Sequence, residues 1–223
     1  MSKIYAIGDV HGCADQLREL VGLCEEDAGA GRSKLVFLGD YIDRGPDSRG
    51  VIEFLIDLQR WSPDEIVCLR GNHEDLLLAA LESEDAEINW RHNGAHSTLK
   101  SYRATRPHEL PTRHIDWIRA LPFFHDDGQR FFVHAGVHPD RPLHQQRARD
   151  LLWIREPFLS SRTNFGRLIV HGHTPIPSGI PELHANRLNI DTGAVYGRNL
   201  TSAIFAAHSA DPVGFLSARP TCD

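Results

Sequence analysis

The chain has 223 residues, of which 41% are hydrophobic and 24% are charged, so it is long enough for one globular domain with a buried core. Its net charge of −6 argues against a general nucleic-acid-binding role, because such domains are usually basic. No apolar run approaches the roughly 18 residues of a membrane span, no signal peptide is recognisable, and the four cysteines form no CxxC pair. We therefore expect a cytoplasmic protein that has no membrane partner, disulfide framework or structural zinc site.

Five short apolar runs are each followed closely by a glycine and by side chains that can bind metal. The runs lack charge, as strands covered on both faces do. In open α/β sheets, ligands collect at the carboxyl ends of the strands, so the residues that follow these runs are candidates for one shared site. The runs cover residues 4–7, 35–38, 66–69, 131–133 and 168–170, and the side chains that follow include Asp9, His11, Asp40, Asn72, His134 and His173.

Apolar residues recur at helical spacing between the early runs, over 14–26, 47–59 and 74–81. This β-α-β-α-β order predicts parallel strands with right-handed crossovers. Residues 83–121 are richer in charge and proline, and we interpret them as a helical insertion over one side of the site, with a helix at 112–121. Whether this insertion is a moving lid or a fixed wall stays open.

The second half of the chain is rich in closely spaced strands. They are predicted at 130–133, 168–170, 187–190, 200–206 and 213–216. A parallel first half followed by hairpin-like spacing predicts an α/β fold with two packed mixed β-sheets flanked by helices. We expect a single domain that spans residues 1–223.

Residues 39–45, Gly-Asp-Tyr-Ile-Asp-Arg-Gly, place two carboxylates and a guanidinium directly after an apolar run. These charges are explained if Asp40 binds metal, Asp43 orients a neighbouring side chain and Arg44 binds an anion. The alternative for this segment alone is a polar loop with an ordinary Asp–Arg ion pair.

The candidate ligands combine carboxylate, amide and imidazole groups without a thiolate. This set suits manganese, iron, zinc or nickel better than calcium, and manganese is our first choice. Asp9 and His11 can converge on one ion, and Asp40 can bridge two ions. Two ions about 3.5–4 Å apart are the usual arrangement for phosphate-ester hydrolysis, in which they activate a bridging water for in-line attack.

Other side chains are predicted to act on the substrate. An alkoxide leaving group needs a proton, and His73 is placed beside Asn72 to supply it as general acid. Asp43 is the candidate carboxylate that holds His73. Arg44 and Arg155 are the candidate donors to the phosphoryl oxygens.

Three motifs resemble the signature blocks of the metallo-dependent phosphoprotein phosphatase family, the calcineurin-like metallophosphoesterases. They are G-D-V-H-G at 8–12, G-D-Y-I-D-R-G at 39–45 and G-N-H-E at 71–74, followed in the expected order by H-A-G at 134–136 and H-G-H-T-P at 171–175. The compact length and I-D-T-G-A-V at 190–195 are similar to the bacterial and phage lambda phosphatase branch.

The resemblance implies the calcineurin-like fold and two divalent ions. In the family, the ligands of the first ion match Asp9 and His11, the bridging acid matches Asp40, and those that complete the second ion match Asn72, His134 and His173. His73 matches the proton donor paired with Asp43, while Arg44 and Arg155, together with Asn72, fall at positions that bind the phosphate.

The resemblance also implies a serine/threonine protein phosphatase whose substrates are phosphorylated proteins or peptides, with phosphotyrosine as an open alternative. The nearest rival is a symmetrical diadenosine tetraphosphate hydrolase. Such relatives tend to carry a non-acidic residue in place of Asp43 and an aspartate in place of Glu74. A non-catalytic phosphate-binding scaffold and a nuclease are two further hypotheses, but the ligand set is complete and the acidic balance offers no groove for a nucleic-acid backbone.

Overall fold

The computed structural model of the protein describes residues 3–220, so Cys222 lies outside the described residues. Along this part of the chain, strands and helices alternate first and strands predominate later. The elements are β1 (Lys3–Ile7), α1 (Ala14–Ala28), β2 (Ser33–Phe37), α2 (Ser48–Trp61), β3 (Ile66–Cys68), α3 (Asn72–Ala80), α4 (Glu84–His92), α5 (Ala95–Tyr102), α6 (Thr112–Ala120), β4 (Phe124–Asp126), β5 (Arg130–Val133), α7 (Ala148–Trp153), β6 (Leu168–His171), β7 (Glu182–Leu183), β8 (Arg187–Asn189), β9 (Leu200–Ala206) and β10 (Pro212–Ala218).

The strands form two mixed sheets of five strands each. The first has the order β10-β9-β1-β2-β3, in which β1, β2 and β3 are parallel and β9 and β10 are antiparallel. The second has the order β4-β5-β6-β8-β7, with β5, β6 and β8 parallel between two antiparallel edge strands. The predicted α/β fold with two mixed sheets and flanking helices is confirmed.

Side chains that point alternately to the two faces of a strand divide the core into layers. In β1, Ala6 faces the second sheet and packs in a cluster with Phe132 and Val170. Its neighbours Tyr5 and Ile7 face the helices and pack in the larger cluster that α1 to α6 cover. Because successive residues of a strand point to opposite faces, one strand can contribute to both layers.

Two helices, α4 and α5, occupy the part of segment 83–121 to which the sequence assigned no particular helix. The short edge strands β4 and β7 and the helix α7 were also not predicted. Helix α3 begins at Asn72 and not at residue 74, because the carboxylate of Glu74 accepts a hydrogen bond from the N–H of Gly71 and so starts the helix earlier. The first turn of α3 therefore carries Asn72 and His73.

No helix within residues 3–220 combines the length and the apolar character that crossing a membrane requires. Cys13, Cys24 and Cys68 are not bonded to one another.

Candidate metal centre

The predicted ligands meet at the carboxyl ends of parallel strands from both sheets. The loop after β1 supplies Asp9 and His11, and the loop after β2 supplies Asp40. The other three follow β3, β5 and β6, so the fold alone brings together residues that are up to 164 positions apart. All six candidate ligands are buried: Asp9, His11, Asp40, Asn72, His134 and His173.

Asp40 lies at the centre of the cluster. Its Oδ2 is 3.4 Å from Nε2 of His11, and its Oδ1 is 3.4 Å from Nε2 of His134. Two groups of side chains have ligand atoms within 4.8 Å of one another, and Asp40 belongs to both. The first group adds His11 and His73, and the second adds His134 and His173. A carboxylate that is shared by two such groups is placed as a ligand that could bridge two ions.

The tautomers of two histidines show that this cluster fits cations. Nδ1 of His134 faces the carbonyl oxygen of Leu38 at 2.9 Å, and Nδ1 of His11 faces that of Ile42 at 2.8 Å. A carbonyl oxygen only accepts, so each Nδ1 carries the proton and each Nε2 presents a lone pair towards Asp40. Nε2 of His11 also accepts from Nη1 of Arg44 at 2.8 Å. The lone pair of His134 Nε2 repels the Asp40 carboxylate unless a cation lies between them, so the donor set fits metal ions.

The protonation states are consistent with this assignment. Burial lowers the pKa of His11 to about 3 and also lowers that of His134, so both rings are neutral. Burial alone would raise the pKa of Asp40, but the histidines around it, among them His73 with its raised pKa, lower it below its ordinary value. The site therefore pairs an ionised carboxylate with neutral imidazoles, the forms that bind metal.

Asn72 faces the second group. Its Oδ1 is 2.8 Å from Nε2 of His134 and 2.8 Å from Nδ1 of His173. An amide oxygen has two lone pairs, and here they point to the same space as the imidazole nitrogen of His134. The amide oxygen and the two imidazoles could hold one ion together with Asp40.

Asp9 is held differently from the other ligands. Its two carboxylate oxygens accept the backbone N–H of His173 at 3.2 and 3.1 Å, and it belongs to neither three-residue group. A Cβ at Gly172 would lie 2.0 Å from Asp9 Oδ1, so only glycine permits this approach. Burial, then Asp191 and Asp40, raise the pKa of Asp9 well above its ordinary value. This crowding of carboxylates fits a site that binds cations.

His73 and Asp43 form the predicted pair. Nδ1 of His73 donates to Asp43 Oδ2 at 2.7 Å, and Nε2 of His73 has no hydrogen-bond partner among residues 3–220. Burial alone would lower the pKa of His73, but the carboxylates of Asp40 and Asp43 outweigh it and raise the pKa above 6.5. A protonated Nε2 in this cluster is suited to donate a proton.

Glu74 organises the loop that carries Asp40. Its Oε2 accepts the backbone N–H groups of Asp40 and Gly71, both at 2.9 Å, and its Oε1 accepts that of Tyr41 at 2.8 Å. It thus joins the loop after β2 to the start of α3. Glu74 is fully buried, so its carboxylate serves these backbone groups and not solvent.

A family model for calcineurin-like phosphoesterases matches residues 2–212. The chain belongs to this family. Its members depend on two metal ions, and the phosphoesterase described here has the side chains to hold both.

Known relatives of the phosphoesterase differ in their substrates. It is 32% identical to serine/threonine-protein phosphatase 1 of Salmonella typhimurium (strain LT2) over 90% of both chains. It is 38% identical to the symmetrical bis(5'-nucleosyl)-tetraphosphatase of Aromatoleum aromaticum, over 61% of this chain but only 45% of that relative. A crystal structure of a proposed diadenosine tetraphosphatase superposes with a TM-score of 0.73 at 22% identity, covering 98% of this chain and 94% of that one.

Two arginines lie at the mouth of the phosphoesterase site. Arg44 is exposed, and its Nη1 is 2.8 Å from Nε2 of His11. Arg155 is exposed just beyond α7, two residues after Trp153, whose ring lies 6.0 Å from that of His173. Burial, with a further contribution from the charge of Arg155, lowers the pKa of His173 to about 3.

Proposed function

We propose that this phosphoesterase is a protein phosphatase that hydrolyses phosphoserine and phosphothreonine monoesters, with manganese as its metal and the cytoplasm as its location. The hydrogen-bonded pair of Asp43 and His73 carries the proposal. The alkoxide of serine or threonine is a poor leaving group and needs a proton as the ester bond breaks. A buried histidine with an unpartnered Nε2 and a carboxylate on Nδ1 supplies that proton.

The other predicted residues complete the reaction. Asp9, His11, Asp40, Asn72, His134 and His173 would hold two divalent ions, which when bound supply Lewis-acid activation of water and phosphoryl oxygens. As the oxygen of water bonds to phosphorus, the bond from phosphorus to the serine oxygen breaks, and the Nε2 proton of His73 passes to that oxygen. Arg44, Arg155 and Asn72 bind the phosphoryl oxygens in this proposal.

The comparison with the Salmonella phosphatase supports this choice, since it extends over 90% of both chains. The identity of 38% to a symmetrical bis(5'-nucleosyl)-tetraphosphatase supports dinucleoside polyphosphate hydrolysis as a second candidate. A phosphoanhydride releases a leaving group that is already stable as an anion, so it needs an acid less. The presence of Asp43 beside His73 therefore favours the monoester.

The experiment compares kcat/KM of the manganese-loaded protein on a phosphoserine peptide and on diadenosine tetraphosphate. We expect the peptide to be the better substrate, and we expect His73→Asn to reduce its hydrolysis more than that of the tetraphosphate. The assignment as a monoesterase would be rejected if kcat/KM were higher on the tetraphosphate than on the peptide and if His73→Asn left the value on the tetraphosphate unchanged.

A further inference from the structure

Both oxygens of the buried Asp43 carboxylate accept hydrogen bonds. Oδ2 accepts the Nδ1–H of His73 at 2.7 Å and the indole N–H of Trp90 at 2.9 Å. Oδ1 accepts the hydroxyl of Thr98 at 2.6 Å. Trp90 lies in α4 and Thr98 in α5, so two of these three donors come from segment 83–121.

The hydroxyl of Thr98 is fully used in this network. Its oxygen accepts the backbone N–H of Asp43 at 2.8 Å and lies 3.0 Å from the hydroxyl oxygen of Ser48. Because its one proton goes to Asp43 Oδ1, Thr98 accepts the proton of Ser48. A buried network in which every group has a partner is rigid, so it fixes the orientation of the Asp43 carboxylate.

The same segment also contacts the backbone at Asp43 and Arg44. These two residues have φ values of 71° and 68°, in the left-handed region that side chains rarely adopt. The N–H of Arg44 donates to the carbonyl oxygen of Gly94 at 3.2 Å, and a Cβ at Gly94 would lie 2.9 Å from Arg44 Cγ. Two consecutive strained residues persist only where surrounding contacts hold them. Gly94, which provides these contacts, lies between α4 and α5.

The orientation of the His73 ring depends on this arrangement. Its Nε2 has no partner among the described residues, so its one side-chain hydrogen bond is the one to Asp43. A carboxylate held by His73 alone could turn about its own bonds. With Trp90 on one oxygen and Thr98 on the other, the carboxylate presents a fixed lone pair to Nδ1.

We propose that Trp90 and Thr98 are positioning residues for proton donation by His73, acting through Asp43. Segment 83–121 then forms a fixed wall of the site. The proposal rests on the proposed function, because it assumes that His73 donates a proton to the leaving group. It adds that two side chains without substrate contact determine how well that proton is placed.

Substitutions that remove one donor each test the proposal. Trp90→Phe deletes the indole N–H and keeps an aromatic ring, and Thr98→Val deletes the hydroxyl at nearly constant volume. Each is expected to reduce kcat on phenyl phosphate by about tenfold and kcat on p-nitrophenyl phosphate by less than about twofold, because p-nitrophenolate leaves without a proton. Thr98→Ser, which keeps the hydroxyl, is expected to recover most of the rate on phenyl phosphate. Trp61→Phe, at an exposed position, is the control for the loss of an indole.

The His73→Asn background separates the possible outcomes. In that background, Trp90→Phe and Thr98→Val should have no further effect on either substrate. Equal losses on both substrates, or the same losses with and without His73, would overturn the positioning role. If His73→Asn itself leaves both rates unchanged, the proposed function fails and the inference fails with it. If His73→Asn reduces the rate on phenyl phosphate while Trp90→Phe and Thr98→Val do not, the inference alone fails.

A spectroscopic measurement gives a readout besides activity. The indole N–H of Trp90 should give a strongly downfield, slowly exchanging proton signal, since it is buried and donates to a carboxylate. The signal is assigned by its loss in Trp90→Phe, and it should move upfield in Asp43→Asn while the other three indole signals stay in place. A signal that Asp43→Asn leaves unchanged would contradict the contact itself.

Discussion

The Asp40 carboxylate faces the unprotonated Nε2 of His134 across 3.4 Å, while the proton of that ring is held by Leu38 on its far side. Nε2 of His11 lies at the same distance from the other oxygen of this carboxylate and also accepts from Nη1 of Arg44. Acceptors that face acceptors in a buried site need a cation between them. From this relationship we infer that Asp40 belongs to two ion sites.

Replacing Asp40 by Ala is expected to abolish the binding of both ions. The two groups of ligand atoms share only Asp40, so each loses its central carboxylate. Metal analysis after dialysis should find two ions in the parent protein and fewer than one in the variant. Asp116→Ala, an exposed carboxylate on α6, is the control and should keep both ions. Two ions retained in Asp40→Ala would reject the shared ligand.

His73→Asn is expected to lower kcat on a phosphoserine peptide by about 10²–10⁴-fold, which is the usual contribution of a positioned general acid. The variant should still bind both ions, because the side chain of His73 hydrogen-bonds to Asp43 and its backbone N–H, which donates to Asp40, is kept. His92→Asn, an exposed histidine of α4, is the control and should have parental kinetics. A parental rate on the peptide in His73→Asn would remove the acid role.

Arg155→Ala is expected to reduce kcat/KM on the same peptide by about ten- to hundredfold, because hydrogen bonds to charged groups contribute about 1.5–3 kcal/mol. Inhibition by inorganic phosphate should weaken in parallel, since phosphate would use the same donor. Arg149→Ala, also exposed and six residues earlier, is the matched control. Unchanged inhibition by phosphate in Arg155→Ala would exclude this arginine from the site.

Gly172→Ala is expected to weaken the binding of one ion by at least about tenfold. The new methyl group would lie 2.0 Å from Asp9 Oδ1 and would displace that carboxylate. Calorimetric titration with Mn²⁺ measures the effect. Gly22→Ala in α1, where a Cβ would meet no atom within 4 Å, should leave metal affinity unchanged and stabilise the helix by about 0.5–1 kcal/mol. Equal metal affinity in both variants would show that Asp9 is not a ligand.

Asp127→Asn is expected to destabilise the protein by about 3 kcal/mol at pH 7, since it removes the charge partner of the fully buried Arg130. Burial alone would raise the pKa of Asp127, but hydrogen bonds from the backbone and side chain of Arg130 lower it below 3.8. The folded pKa is thus below the unfolded one, so the carboxylate stabilises the fold above pH 3.8 and loses this effect as pH falls through the folded value.

Urea unfolding at pH 7 and at pH 3.5 measures this difference between parent and variant. It should be largest at pH 7 and smaller at pH 3.5. Asp116→Asn, which removes the exposed partner of Arg119, should change the free energy of unfolding by less than about 0.5 kcal/mol. A difference for Asp127→Asn that is the same at both pH values would contradict the ion pair.

The metal ligands could be predicted from the sequence because each follows a buried strand at a loop with glycine. Asp9, Asp40 and His134 all follow parallel strands, and this position determines where their side chains meet. Trp90 and Thr98 could not be assigned to Asp43 in this way, since they are 47 and 55 residues away in a segment without strand pattern. One signal was present in the sequence: Trp90 is the one tryptophan of α4, whose other residues are mostly charged or polar.

The strands and helices show the same limit of prediction from the sequence. Strands with long apolar runs, such as β9, were predicted with correct bounds because burial of both faces leaves a clear pattern. The edge strands β4 and β7 have only three and two residues, too few for a period of two to be recognised. The early start of α3 depends on the hydrogen bond from the N–H of Gly71 to Glu74, which the periodicity of apolar residues does not report.

Anomalous diffraction from crystals of the Mn²⁺-loaded protein tests the shared role of Asp40 most directly. We expect two manganese peaks that both contact this carboxylate, one also beside His11 and the other also beside His134, His173 and Asn72. A single peak, or two peaks of which one lies out of reach of Asp40, would contradict it.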